Sequence, residues 1–441
     1  MTTELGGAAS SAPSPHAGQV SELRGLELTV EKLVPGGDGF LRLPDGQALF
    51  VRGGAPGDRI RLGGVEKQRG TLWTNDYELL SPSPQRVVPE CPVAASCGGC
   101  DLMHLSRKAE IAQKTSMLQE ALERVAGVAL APDALTAGGP SLGYRSRVRF
   151  HVGRHGKLGF FARGTHQLVE VPACAVADPR INHALSQIRR LARRFPDALL
   201  GFSDVELRAT ETDVIARFVP KDGIKPIAAE PFLRALAKEL RVAGSEREAQ
   251  LLCERRSLTD DVFVEIPADA FSQINVPVNR ELVAAVVQGA KARGVTTFCD
   301  LFAGVGNFAL PLARLGLSGV MVERTPSAVQ AAQRAAAEQG IAKLKLRTAD
   351  AGKALTDLVR EGQHFDLVVL DPPREGAPEV VAGIPGLTPR VVAYVACDPV
   401  TLSRDLKPLL AGGFKIQAVQ AFDMFPRTHH FETLVWLEAG G

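Results

Sequence analysis

The chain has 441 residues, 45% of them apolar, and 51 Lys and Arg set against 49 Asp and Glu leave a net charge of +2. That length can bury two or three cores, near-neutrality confines any nucleic-acid surface to local patches, and no apolar run reaches the ~18 residues that suggest a membrane span. Seven unevenly spaced cysteines argue against a disulfide framework and for a reducing, cytoplasmic setting. Residues 1–24, rich in Ala, Ser, Gly and Pro, lack the apolar centre of a secretory signal and read as a disordered tail.

Leu26-Glu-Leu-Thr-Val-Glu-Lys-Leu33 alternates as a half-buried strand and breaks at Pro35-Gly-Gly-Asp-Gly39. Short strands follow at Ala48–Val51 and Arg59–Leu62, with turns at Pro44-Asp-Gly46 and Pro56-Gly57. This spacing predicts a small five-stranded barrel. Gly36-Gly-Asp-Gly-Phe-Leu41, Leu49-Phe-Val-Arg-Gly-Gly-Ala-Pro-Gly-Asp58 and Tyr77-Glu-Leu-Leu80 together resemble a TRAM domain. The resemblance implies an OB-like RNA-binding fold over 25–84; a barrel serving only as a spacer is the alternative.

Cys91-Pro-Val-Ala-Ala-Ser-Cys97-Gly-Gly-Cys100 gathers three thiols, and the Gly-Gly lets the backbone fold round a common centre. Closely spaced thiolates need a positive partner, which an iron–sulfur cluster or a four-thiolate zinc would supply. Cys174 is the best placed fourth ligand, whereas Cys253 and Cys299 lie in apolar strands and read as core. Residues 108–125 have a helical apolar stripe of Ile111, Met117, Leu118, Leu122 and Val125, which leaves a charged, mostly solvated opposite side. Arg145, Arg147 and Arg149 alternate and so share a strand face. Such a row suits a phosphate backbone, or is simply a solvated face. Arg189, Arg190, Arg193 and Arg194 fall on one helix and read as solvated.

From Phe263 onward strands and helices alternate: 297–302, 319–323, 345–348, 365–370, 391–396 and a late strand at 433–437, with helix 326–339 among the connections. The pattern predicts a doubly wound, Rossmann-like sheet. Asp300-Leu-Phe-Ala-Gly304-Val-Gly306-Asn307 is a nucleotide-cofactor turn at the end of the first strand, and Glu323 closes the second, where a carboxylate can accept both ribose hydroxyls. Asp371-Pro-Pro-Arg374 closes the fourth strand. Cys397 follows the fifth and Glu432 opens the last. Carbon 5 of uracil is a poor nucleophile until a thiolate adds at carbon 6, and a base must later remove the carbon 5 proton. Cys397 fits the first role and Glu432 the second.

The whole set resembles the RNA uracil-5-methyltransferase family, in its branch with a TRAM domain and an iron–sulfur cluster. The resemblance runs from Leu26 to the C-terminus. It rests on Cys-x5-Cys-x2-Cys, Phe271-Ser-Gln273-Ile-Asn275, the Asp300 turn, Asp371-Pro-Pro-Arg374, Cys397-Asp-Pro-x-Thr-Leu-x-Arg-Asp405 and Asp423-Met-Phe-Pro-x-Thr-x-His-x-Glu432. It implies a [4Fe–4S] cluster on Cys91, Cys97, Cys100 and Cys174. It also implies S-adenosylmethionine contacts from Gln273, Phe302, Asn307, Glu323, Asp350 and Asp371. The family pattern has Ser-Cys-Asn-Pro where this chain has Ala396-Cys397-Asp398-Pro399, which keeps the nucleophile and changes its neighbours. The expected architecture is therefore a multidomain α/β chain: an OB-like barrel (25–84), a central α+β domain with the iron–sulfur site (85–262) and a C-terminal methyltransferase domain (263–441). The expected activity is 5-methylation of a uridine swung out of structured RNA, with 23S ribosomal RNA foremost. A transfer-RNA enzyme, an inactive RNA-binding relative and a radical methylthiotransferase are the alternatives. One chain holds every part of the site, so a monomer is expected.

Overall fold

The computed structural model describes residues 23–68, 70–129 and 135–440, so the expected tail lies, up to residue 22, outside the described residues. Residues 23–88 with 104–106 form one unit, and residues 89–103 with 107–440 form another. In the first, strands β1 (Glu27–Thr29), β2 (Lys32–Leu33), β3 (Gly39–Arg42), β4 (Ala48–Val51), β5 (Arg59–Gln68) and β6 (Thr71–Ser81) pair in the order β1-β5-β6-β4-β3-β2. β1 and β2 are halves of one stretch: Val30 N donates to Asp58 O next to β5, and Glu31 N to Phe40 O on β3. The sheet thereby closes on itself as a barrel. Leu41, Leu49, Val51, Ile60 and Leu72 fill it. The alternate residues Phe40, Phe50 and Trp73 meet on the outer face, Phe40 edge-on to Phe50 at 5.9 Å between ring centroids and Phe50 stacked on Trp73 at 4.8 Å. Asp58, fully buried, accepts from Ala55 N at 2.6 Å and Ser83 N at 2.9 Å and pairs with Arg86 at 2.7 Å, tying the Pro56-Gly57 turn to the barrel's exit.

The second unit contains two large sheets. Strands β7 (Arg147–Val152), β8 (Leu158–Phe161), β9 (Leu168–Glu170), β10 (Phe202–Ala209), β11 (Val214–Pro220) and β12 (Arg241–Ala243) form the first, in the order β12-β11-β10-β7-β8-β9. Val148, Phe150, Val205, Leu207, Ala216 and Phe218 share a core with Ile181, Leu185 and Ile188 of helix Pro179–Ala192. Of its arginines only Arg189 is tied into the fold, donating to the carbonyls of Leu158, Val171 and Pro172, while Arg190, paired with Glu239 at 3.0 Å, and Arg193 and Arg194 beyond it are exposed as expected. A hairpin of β13 (Cys253–Ser257) and β14 (Phe263–Pro267) leads into the second sheet and spans the domain boundary expected at residue 263.

That sheet contains β15 (Thr297–Leu301), β16 (Ser318–Glu323), β17 (Leu344–Thr348), β18 (Leu367–Leu370), β19 (Val391–Ala396), β20 (Phe414–Phe422) and β21 (Glu432–Ala439), ordered β17-β16-β15-β18-β19-β21-β20. The first five are parallel, and β21 runs antiparallel to both its neighbours. Alternate residues go to opposite faces: Phe298, Met321, Val369, Ala393 and Val395 pack with helices Val276–Ala292 and Pro326–Glu338, and Cys299, Val320, Val368, Val392 and Tyr394 with helices Ala351–Arg360 and Pro399–Ala411. Cys299 is core as expected, whereas Cys253 is half-buried on β13 beside Arg334. The edge strand β20 was not among the expected elements. Its alternation is interrupted by a register shift between Ile416 and Ala418. Among the described residues no helix is long and apolar enough to cross a membrane.

Helix Arg107–Ala121 buries Met117 and Leu118 as its stripe predicts, and Lys108 is solvated as expected, but Glu110 and Lys114 of its charged side are buried. Lys114 Nζ is fully buried, 2.9 Å from Glu110 Oε1 and 2.6 Å from Asp423 Oδ1, and it also donates to Phe425 O at 3.2 Å. Arg107 joins both carboxylates from the rim. Removing one partner of such a set strands the others' charge in the interior. Lys114→Met should therefore destabilise the protein by about 3–5 kcal/mol, read as a lowered Tm, while Lys108→Met on the same helix should leave Tm unchanged.

Candidate active site

Strand β15 lies between β16 and β18, so the chain reverses its order across the sheet at this point, and open α/β sheets take ligands beyond the strand ends at such a reversal. A cavity of about 580 Å³ occupies this edge. The resemblance had singled out eight cavity residues, and the fold brings all of them together: Gln273, Phe302, Asn307 and Glu323 border the space, as do Asp350, Asp371, Cys397 and Glu432.

The glycine turn forms one wall. Phe302 has φ 63°, and Gly304 and Gly306 follow at 56° and 89°; the left-handed backbone suits the glycines and strains the phenylalanine. The turn hands Gly304 N to Glu323 Oε2 at 3.0 Å, while Thr325 N reaches Oε1 at 2.8 Å, so the carboxylate is held from both sides. Asn307 exchanges reciprocal side-chain hydrogen bonds with Asn279 at 2.9 and 3.0 Å. Asp350 caps helix Ala351–Arg360 through Gly352 N and Lys353 N at 3.0 and 3.2 Å.

The opposite wall carries the thiol and two carboxyls. Ala396 on β19 pairs with Thr433 on β21, which sets Cys397 and Glu432 at neighbouring strand ends. Glu432 is buried, and Asp371 accepts from Gln273 Nε2 at 3.3 Å. Burial raises both carboxyls, and the Asp371 charge raises Glu432 further. Burial also pushes the Cys397 thiol up to about 12, helped by Glu432, Asp371 and Asp398, while Arg374 pulls it down. Asp398 caps helix Pro399–Ala411 through Val400 N at 3.0 Å and Thr401 N at 2.8 Å. An asparagine can cap as well, so what this chain's aspartate adds is charge beside the thiol. Asp405 braces the arrangement, accepting from Tyr394 Oη at 2.8 Å and Ala377 N at 2.7 Å.

A second, smaller cavity of about 60 Å³ is lined by Cys91, Cys97, Cys100 and Cys174 together with Arg145. Gly98 N donates to Phe161 O at 3.0 Å, and a Cβ at Gly98 would meet that oxygen at 2.7 Å, so the Gly-Gly is a close approach of two backbones. Asn182 clasps Cys174 through its amide and carbonyl at 2.8 and 3.0 Å. Among the described residues no group of three or more His, Cys, Asp or Glu is arranged to hold a single metal ion; the four thiols instead surround a shared space. Arg145, expected on a row with Arg147 and Arg149, precedes β7 and faces this cavity.

Three contributors had no role assigned from sequence. Asn279 lies on a helix with no motif to flag it. Arg374 was visible in Asp-Pro-Pro-Arg, but its effect on Cys397 needs the fold. Asp300 is wholly buried under the turn, its carboxyl raised by burial and by Asp371 and Glu323.

A parallel sheet with one antiparallel strand, a glycine turn and a carboxylate fixed beside that turn define a Rossmann-like enzyme that uses a nucleotide cofactor. Residues 106–440 match the pattern of the tRNA (Uracil-5-)-methyltransferase family. The chain is 33% identical to 23S rRNA (uracil(1939)-C(5))-methyltransferase RlmD of Edwardsiella ictaluri, over 94% of this chain and 96% of that protein. It is 32% identical to an uncharacterized RNA methyltransferase of Gloeobacter violaceus, over 94% and 97%. Its fold is similar to that of Pyrococcus abyssi tRNA (uracil-54, C5)-methyltransferase, solved with S-adenosyl-L-homocysteine, at a TM-score of 0.69 and 23% identity over 93% of this chain and all of that one. The chain belongs to the RNA uracil-5-methyltransferase family, and its members are S-adenosylmethionine-dependent enzymes.

The charges around Cys397 make a prediction that needs no substrate. Asp398→Asn keeps the cap and removes a neighbouring charge, so the thiol pKa should fall and alkylation of Cys397 by iodoacetamide at pH 8 should quicken. Arg374→Gln should slow it. Mass spectrometry of the Cys397 peptide reads both, and equal rates in all three proteins would mean the charges do not govern the thiol.

Proposed function

We propose that this chain methylates carbon 5 of a uridine in structured RNA, with Cys397 as nucleophile and Glu432 as base. The convergence of thiol, carboxyl and cofactor-turn residues on one cavity carries the reading. The cavity's volume lies within the range of small-molecule sites, and the buried Gln273 Oε1 and Glu432 Oε2 have no hydrogen-bond partner among the described residues. S-adenosylmethionine, when bound, supplies an electrophilic methyl group. We assign the ribose hydroxyls to Glu323 and the remaining contacts to Gln273, Phe302, Asn307, Asp350 and Asp371.

Cys397 gives its proton to solvent and its sulfur bonds to carbon 6 of the uracil, which moves the electron pair of the 5,6 double bond into an enolate centred on carbon 5. Carbon 5 then takes the methyl group, and the sulfonium carbon–sulfur bond that breaks leaves its electron pair on sulfur, so the departing cofactor product is the neutral thioether. Glu432 then takes the carbon 5 proton, the 5,6 double bond re-forms, and the carbon–sulfur bond breaks to release the thiolate. Arg374 opposes the carboxyls by favouring that thiolate. Because the free thiol is held near 12, the thiolate fraction rises throughout the working range, so kcat/KM for RNA should climb with pH past the ordinary thiol value of about 8.5.

The 23S ribosomal RNA is the preferred substrate class, because the relative of that name aligns over nearly the whole chain at 33% identity. A transfer RNA is the second reading, since the family's description names it. The barrel of residues 25–84 is read as a TRAM domain that contacts RNA, followed by a central domain (85–262) and the methyltransferase domain (263–441). Cys91, Cys97, Cys100 and Cys174 are assigned to a [4Fe–4S] cluster with a structural role, and the half-buried Arg145, which lines the same cavity, offsets its negative charge.

Tritium release from 23S ribosomal RNA labelled at uridine carbon 5 tests the reaction. Wild type should release tritium with S-adenosylmethionine and Cys397→Ala should not. Glu432→Gln should accumulate an RNA–protein adduct that survives denaturing electrophoresis, and its absence would remove Glu432 from the base role. For the cluster, anaerobically purified protein should carry about four irons and four sulfides, lost in Cys174→Ser; one zinc without sulfide would overturn the assignment.

A further inference from the structure

One face of the β7-β10-β11 sheet is an arginine array. The register sets Arg149 and Arg217 on either side of Glu206, and Arg147 beside Arg208 in the next row; residues two apart along a strand share a face. The Glu206 carboxylate has Arg149 at 3.5 Å, Arg147 at 3.7 Å, and Arg208 and Arg217 both at 3.8 Å. A seated guanidinium–carboxylate bond measures about 2.7–2.9 Å, so four cations surround this acid and none sits on it. Glu254, 3.9 Å from Arg208, is already taken by Arg256 at 2.8 and 3.0 Å. Asp204, one row along, is taken by His151 at 2.7 Å and Ser203 at 2.8 Å. Five guanidinium groups thus share two carboxylates. Burial, with the neighbouring arginines adding to it, holds the Arg147 guanidinium below its ordinary value, as expected of crowded cations.

The array borders the catalytic cavity. Arg147 and Arg208 both donate to Ala270 O, at 3.3 and 2.8 Å, and the Arg147 guanidinium lies 5.3 Å from the ring centre of Phe271. Phe271 is 62% exposed and, with Arg256, lines the cavity that holds Cys397 and Glu432. Arg149 leaves 54% of its side chain exposed, Arg147 21% and Arg217 18%, so the array opens to solvent chiefly at Arg149.

We infer that this face is a phosphodiester-binding site that holds the RNA backbone beside the nucleotide whose base enters the cavity. Guanidinium forks match phosphate oxygens, strand register fixes their spacing in advance, and an incompletely neutralised array gains most from an added anion. Arg149 and Arg217 each contact a phosphate of the backbone, while Arg147 and Arg208 remain tied to Ala270. The inference rests on RNA as the substrate and adds where its backbone is gripped.

The test compares wild type with the double variant R149Q/R217Q and the charge-keeping R149K/R217K, using a 23S-derived RNA fragment. If the site exists, the slope of log affinity against log salt should fall by about 1.4 in the glutamine variant, two phosphate contacts on a single strand. The KM for RNA should rise about tenfold or more with kcat within about twofold, as for a binding contact. Cofactor affinity should not change, which also reports folding, and the lysine variant should keep most of the salt slope. Unchanged slope and KM, in a wild type that turns over, would overturn the site and leave the reaction intact. A slope lost in the glutamine variant, with no tritium release by wild type, would sink the uracil reading and leave the phosphate site standing. Should the double variant misfold, R149E alone, at the more exposed position, carries the same comparison.

Discussion

The arrangement depends on one strand running against its neighbours. The parallel strands β15 to β19 deliver their carboxyl ends to one edge, where the turn after β15, Asp371 after β18 and Cys397 after β19 collect. A sixth parallel strand could bring only its last residue there. Because β21 is antiparallel to β19, it brings its first, and the pairing of Ala396 with Thr433 sets Glu432 beside the thiol. A shift of one residue in that register would turn the Glu432 side chain to the other face of the sheet. The hydrophobic alternation of β21, with Leu434 and Trp436 in one core and Val435 and Leu437 in the other, resists that shift.

The same edge concentrates charge of one sign. Asp300, Asp371 and Glu432 are all raised by burial, and the thiol beside them is raised too. Such a site is unfavourable to build and to leave without a cation, and Arg374 meets only part of the need. A positively charged cofactor entering the cavity relieves the repulsion, so the carboxyls that make the site costly also select for what fills it. Where the cavity's carboxyls crowd together, the sheet face nearby has the opposite imbalance, too many arginines for its acids. The cavity and its border are complementary to a cation and an anion respectively.

Much of this was legible in the sequence, because the site residues cluster at strand ends inside short motifs and strand ends converge in a doubly wound sheet. The barrel and the parallel strands also followed from alternation and turns. What escaped depended on partners far along the chain. The charged side of helix Arg107–Ala121 read as solvated because Asp423, the partner of Lys114, lies 309 residues away. Arg145 read as one of a row because alternation cannot tell the residue before a strand from those within it. Strand β20 escaped because a register shift spoils its period, and the Asn279–Asn307 clasp because neither residue type announces a partner.

The buried lysine also sets an order of events. A ribosome releases Lys114 and Glu110 long before Asp423, so for most of synthesis this helix has one of its two acids and none of the loop that seals it. Its polar side must stay wet until the last part of the chain emerges, and the helix cannot dock dry until then. The docking partner, 423–427, runs directly into Glu432. Closure of the early helix and arrival of the cavity's Glu432 carboxyl are therefore one late step, and a nascent chain stalled short of it has neither.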